Sequence, residues 1–166
     1  LMLVYTYTDG VMLEWLLTDG RREADVYAAG YRLLDVMGMI GYLMAGLLLP
    51  MFARLLKEKA DLQPLVDLGF RLLWGVGVIV SVNAAVFGTE IMEFLYVRAD
   101  AYMGGVFSWL AWSFLPWCLT YIFGTLLTAS GRLWPMIRLF IFCVGLNVLL
   151  NSWAIPTYQA AGAAVA

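Results

Sequence analysis

The chain has 166 residues, of which 63% are apolar and 13% are charged, and its formal net charge is −2. A soluble domain carries roughly 25% charged side chains, and a core of this size could not bury so much apolar surface, so a soluble globular protein is excluded. The small net charge, without a long basic run, also excludes a nucleic-acid-binding protein. Histidine is absent, which removes the commonest general base and metal ligand and disfavours a catalytic or metal site.

Long uncharged stretches predict an all-α integral membrane protein with a polytopic bundle of transmembrane helices. The clearest stretch lies between Val26 and Arg54, where 18 successive residues, 36–53, carry no charge. A helix of that length covers about 27 Å, close to the thickness of the hydrocarbon core. We expect five spans and the start of a sixth, at about residues 1–17, 26–54, 65–88, 101–130, 133–155 and 159–166. Because both ends fall inside apolar stretches, we expect residues 1–166 to be a fragment of a longer protein.

Asp9 interrupts the first predicted span. A carboxylate at mid-helix costs roughly 2.5 to 3.5 kcal/mol on insertion scales, so such residues usually face a bundle interior or a polar cavity. The residue therefore indicates either a cation or proton site, or a structural ion pair with an arginine of a neighbouring helix.

Asn147 and Asn151 lie deep in the fifth predicted span. Residues four apart project from one face of a helix, so the two amides can supply carbonyl oxygens to one hard cation. The alternative is that both amides form hydrogen bonds that hold helices together.

Arg32 lies at the entrance of the second span, beside Tyr27 and Tyr31 and three residues before Asp35. A guanidinium binds phosphate with two hydrogen bonds and keeps its charge when partly desolvated, which suits an anionic substrate group. The alternatives are an arginine that extends to the membrane interface, or one paired with Asp35.

The sequence resembles a known family along nearly its whole length. Residues 26–33, Val-Tyr-Ala-Ala-Gly-Tyr-Arg-Leu, and 48–54, Leu-Leu-Pro-Met-Phe-Ala-Arg, are similar to the segment around the eighth helix of polysaccharide flippases in the multidrug/oligosaccharidyl-lipid/polysaccharide exporter superfamily. Further similarities follow in the same order: Tyr5, Tyr7 and Asp9 with the seventh helix, 129–132 with the turn after the tenth, 147–156 with the eleventh and 161–164 with the twelfth.

This resemblance implies the C-terminal lobe of a two-lobe transporter with twelve or more helices, located as a multi-pass protein in the plasma (inner) membrane. Its function would be to flip an undecaprenyl-diphosphate-linked oligosaccharide for polysaccharide biosynthesis, such as that of lipopolysaccharide O-antigen. The implied partners are this lipid-linked oligosaccharide, membrane lipid and the N-terminal lobe of the same chain. The resemblance implies no enzyme activity and no cofactor, with Na⁺ or H⁺ as the coupling ion.

The resemblance also assigns residues to two sites. Arg32 matches a cavity arginine that faces the diphosphate or the glycan, and Tyr31 and Tyr27 are expected beside it as substrate-binding residues. The other three polar residues, Asp9, Asn147 and Asn151, match positions that form a cation site in related flippases.

Three other functions stay open at this point. A multidrug/cation antiporter of the same superfamily is disfavoured by an arginine in the cavity, because carriers of cationic drugs use carboxylates. A membrane enzyme such as a glycan polymerase or acyltransferase is disfavoured by short loops and the absence of histidine. A purely structural membrane subunit would leave Asp9 and Arg32 without a role.

Overall fold

The computed structural model describes residues 2–97 and 99–165, with the side chains of 9–97 and 99–164. Within these residues the chain forms five α-helices: α1 Met2–Leu16, α2 Gly20–Glu58, α3 Gln63–Leu95, α4 Ala101–Ala129 and α5 Leu133–Val165. Four of the described helices, α2 to α5, are long and apolar enough to cross a membrane. The predicted all-α membrane fold is therefore confirmed, whereas the assignment of the chain to one lobe stays a prediction.

The helix ends have local causes in the sequence. Lys59 ends α2 in the left-handed conformation, with φ of 54°, and its backbone N–H reaches back to the last carbonyls of the helix. Pro64 lies in the first turn of α3, as expected for a residue without a backbone donor. Asp100 caps α4 by accepting a hydrogen bond from the Met103 backbone N–H at 2.9 Å. Because the helices end at these capping residues, the described loops between them are only a few residues long.

Helix α4 lies at the centre of the bundle and contacts α2, α3 and α5, while α1 contacts α2 and α5. Its buried residues Val106, Leu110, Phe114, Cys118 and Ile122 recur every four positions. That spacing is the interior stripe of a helix. The core therefore runs along α4, and the outer faces of the other helices stay apolar and exposed, as lipid-facing helices do.

Close contact between α2 and α4 depends on Gly41. A Cβ placed on this residue would collide with the ring of Tyr121. Gly41 therefore acts as the small residue that lets the two helices approach, as small residues do where membrane helices pack closely.

Two helices differ from the predicted spans. The third span was expected to end at residue 88, but α3 continues to Leu95 through a kink at Phe87, where φ is −115° and ψ is 19°. Likewise, α5 includes Pro156 and breaks three residues later at Gln159, where φ is 57° and ψ is −135°. After that break the chain folds back, so that Gly162 lies against the carbonyl of Ala154.

Candidate cation site and arginine face

Three helices meet around Asp9, whose side chain is only 8% exposed. Its carboxylate oxygen Oδ2 accepts a hydrogen bond of 2.7 Å from the Tyr27 hydroxyl of α2. Its other oxygen, Oδ1, accepts one of 2.7 Å from the Asn151 amide of α5. An arginine partner, the alternative that the sequence left open, is not found among the described residues. Two neutral donors contact the buried carboxylate there.

Asn147 and Asn151 share one face of α5, as their spacing predicts. The Asn151 Nδ2 donates to the Asn147 Oδ1 at 3.2 Å. Both side chains are buried. The structure thus brings together all three residues of the predicted cation site.

The side-chain oxygen of Asn151, Oδ1, is buried and has no hydrogen-bond partner among the described residues. A buried acceptor left unsatisfied costs about 1 to 3 kcal/mol. A rotation of the Asn151 side-chain amide by about 180° would exchange the positions of its oxygen and nitrogen. Oδ1 would then face Asp9 and Asn147, where Nδ2 now donates. One carboxylate and two amide oxygens would then converge, a donor set that suits a hard cation.

Asp9, Tyr27, Asn147 and Asn151 are together called the Asp9 cluster. The sequence did not predict Tyr27 as a neighbour of Asp9. Tyr27, which was expected beside the substrate, donates its hydroxyl to Asp9, and its ring stacks on Tyr31 at 5.9 Å between centroids. The two contacting residues are 18 positions apart on different helices, so no local spacing could have revealed the pair.

Tyr31 continues an aromatic ladder between α2 and α4. Its ring centroid is 6.2 Å from that of Trp117, which stacks on Tyr121 at 6.2 Å. The aromatic residues of the fourth span therefore divide into two sets: Trp117 and Tyr121 pack inside, while Trp109 and Trp112 are exposed.

Arg32 does not join this cluster. It follows Tyr27 by five residues, which places it about 140° further around the helix. Among the described residues Arg32 has no ion-pair partner, and both it and Asp35 are exposed. The face that it shares with Val36, Met39 and Leu43, each more than 60% exposed, is defined here as the arginine face of α2.

Sequence reasoning missed a second buried carboxylate, Glu23, which is 6% exposed. The residue lies in the first turn of α2 beside exposed Arg21 and Arg22. Its only sequence signal is a spacing of four residues from Tyr27, which places both on one side of the helix.

In a comparison with protein families, the model described as lipid II flippase MurJ matches residues 26–166. The matched part contains Arg32, Asn147 and Asn151, and it begins after Asp9. Comparisons with curated proteins and with solved structures gave no match.

Proposed function

Because the chain belongs to the family of the lipid II flippase MurJ, we propose that it flips lipid II, and that an ion bound at Asp9 drives the movement. Proteins of this family are transporters in the membrane, so the chain moves a lipid-linked precursor across the bilayer and is not an enzyme. The family match supports the flippase class that the sequence resemblance indicated. It favours lipid II over the polysaccharide-linked lipids of the resembling flippases.

The arginine face supports the choice of a diphosphate substrate. Lipid II and polysaccharide precursors share a diphosphate between a polyprenyl chain and a sugar, and a guanidinium binds such an anion with paired hydrogen bonds. Arg32 is exposed and lacks an ion-pair partner among the described residues, so its charge is available to a ligand. The apolar residues of the same face would contact the prenyl chain, or the N-terminal lobe that the family resemblance implies.

The Asp9 cluster supports ion coupling. A buried carboxylate with two nearby amides, one of which has an unsatisfied oxygen, is the observation that carries this part of the proposal. Na⁺ would take oxygen ligands from Asp9, Asn147 and Asn151, and H⁺ would bind Asp9 itself.

Tyr27 provides a physical connection between the two sites. Its hydroxyl contacts Asp9, and its ring stacks on Tyr31, the neighbour of Arg32 in the chain. An ion that displaces the Tyr27 hydroxyl from Asp9 would change the free energy of the inward-facing conformation relative to that of the outward-facing one, because it removes a contact of α2. Such a difference is what a bound ligand needs in order to shift an inward/outward equilibrium.

A lipid-linked polysaccharide unit is the second candidate substrate, because the motifs around Arg32 and Pro50 resemble those of polysaccharide flippases. Complementation separates the two substrates. The full-length protein is expressed in cells depleted of their lipid II flippase, and separately in cells that lack their O-antigen flippase. Growth in the first strain is expected, and restored surface O-antigen without growth rescue would reassign the substrate.

A further inference from the structure

Glu23 connects three elements of the bundle. Its carboxylate oxygen Oε2 accepts a hydrogen bond of 2.6 Å from the Tyr102 hydroxyl at the start of α4. The same oxygen accepts one of 3.1 Å from the backbone N–H of Ala160, which is fully buried. Glu23 therefore bonds α2 to α4 and to the last part of α5.

The bond to Ala160 lies at the break of α5. Ala160 follows Gln159, whose positive φ ends the regular helix, and the chain then folds back along Ala154. The first backbone N–H groups after such a break lack a carbonyl of their own helix. Glu23 supplies the missing acceptor for one of them, as a capping side chain does.

This capping contact is close to the Asp9 cluster on both helices. On α2, Tyr27 is one turn after Glu23 and binds Asp9. On α5, Asn151 binds Asp9 and Ala160 follows nine residues later. The inner part of α5 is thus held at two points, by Asp9 at one end and by Glu23 at the other.

We propose that Glu23 is a positioning residue for the Asp9 cluster: by capping Ala160 it fixes where α5 breaks, and so places Asn151 opposite Asp9. This inference rests on the proposed cation role of the cluster. Glu23 does not contact the ion. Its role is that of a hydrogen-bond acceptor, because the Tyr102 hydroxyl and the Ala160 N–H both donate to its Oε2.

Three substitutions in the full-length protein distinguish the role of Glu23 as a hydrogen-bond acceptor from the role of its negative charge. Glu23→Ala removes the acceptor, Glu23→Gln keeps one oxygen that can receive both donors, and Tyr102→Phe removes one donor. Glu93→Ala is the matched control, because Glu93 is an exposed acidic residue of α3. The purified proteins are titrated with NaCl, against choline chloride at equal ionic strength, and the thermal midpoint is followed. Hydrogen exchange of the backbone amides of residues 157–163 is measured in parallel.

The proposal predicts that Glu23→Ala raises the half-saturating Na⁺ concentration roughly 10-fold, as happens at metal sites when a residue that orients a metal ligand is lost. It also predicts faster hydrogen exchange of the backbone amides of residues 157–163. Glu23→Gln should resemble the wild type, and Tyr102→Phe should lie between the two. Wild-type behaviour of Glu23→Ala in both measurements would overturn the proposal, and so would a Glu23→Gln protein as impaired as Glu23→Ala. If the wild type itself does not respond to Na⁺, the proposed Na⁺ site fails, and hydrogen exchange alone decides whether Glu23 caps Ala160.

Discussion

The Asn151 amide donates a hydrogen bond of 2.7 Å to the carboxylate of Asp9, although the two residues are 142 positions apart in the chain. The bond connects α1 with α5, helices that enclose the buried carboxylate together with α2. It places the buried carboxylate at the centre of a polar cluster, from which the following predictions start.

Tyr27→Phe should destabilise the protein because it removes the hydroxyl that donates to Asp9 and keeps the ring that stacks on Tyr31. A hydrogen bond to a charged group contributes about 1.5 to 3 kcal/mol, and unfolding by denaturant in detergent micelles measures the loss. Tyr42→Phe is the control, since the Tyr42 side chain is 72% exposed and should tolerate the change. Equal stability of the two variants would show that the Tyr27 hydroxyl does not support Asp9.

Asn151→Ala should weaken cation binding and lower stability, because Asp9 loses the hydrogen bond from the Asn151 amide and the proposed ion loses an oxygen ligand. A loss of about 1 to 3 kcal/mol is expected for a buried carboxylate left with fewer partners. Ser152→Ala, at an exposed position one residue later, is the control. The thermal midpoint, measured with and without NaCl, should lose its Na⁺ dependence in Asn151→Ala alone.

Gly41→Ala should push α2 away from α4, because the added methyl group meets the Tyr121 ring. Overpacking of this kind typically costs about 1 to 3 kcal/mol. Gly46→Ala, on the same helix with open space around the glycine, should instead be neutral or stabilise the helix by about 0.5 to 1 kcal/mol. Adding Tyr121→Ala to Gly41→Ala should recover part of the loss, and a double-mutant cycle without coupling would contradict the contact.

Arg32→Ala should abolish transport of the lipid-linked precursor without lowering the abundance of the protein, since the exposed guanidinium supports no described ion pair. Arg32→Lys should keep part of the rate, because an ammonium binds phosphate as a point charge but not as a fork. Arg71→Ala, also at an exposed arginine, is the control. Full transport by Arg32→Ala would remove the arginine face from the mechanism.

Much of the fold follows from the distribution of charge and of helix-ending residues. Uncharged stretches indicate where α2 to α5 run, because a membrane helix tolerates few charges. Pro156, however, does not end α5. The break falls at Gln159, where the Glu23 carboxylate from a distant helix supplies an acceptor for the next residue, and that contact is invisible in the local sequence.

The sequence predicts most of the residues of the candidate site, but not the contacts between them. The spacing of Asn147 and Asn151 identifies a shared face, and the insertion cost of Asp9 indicates a polar partner. Which partner it finds depends on how α1, α2 and α5 pack, and so Tyr27 is found in the cluster although it was expected at the substrate. The roles of Arg32, Tyr31 and Tyr27 at the substrate stay predictions.

The most direct test of ion-driven flipping is the transbilayer rate of fluorescent lipid II in proteoliposomes that contain the full-length protein, with and without an inward or outward Na⁺ or H⁺ gradient. The wild type should respond to one of these gradients, whereas Asp9→Asn, which keeps the size of the side chain and removes its charge, should give the same rate under all of them. If Asp9→Asn responds to the gradient as the wild type does, the Asp9 cluster is not the coupling site.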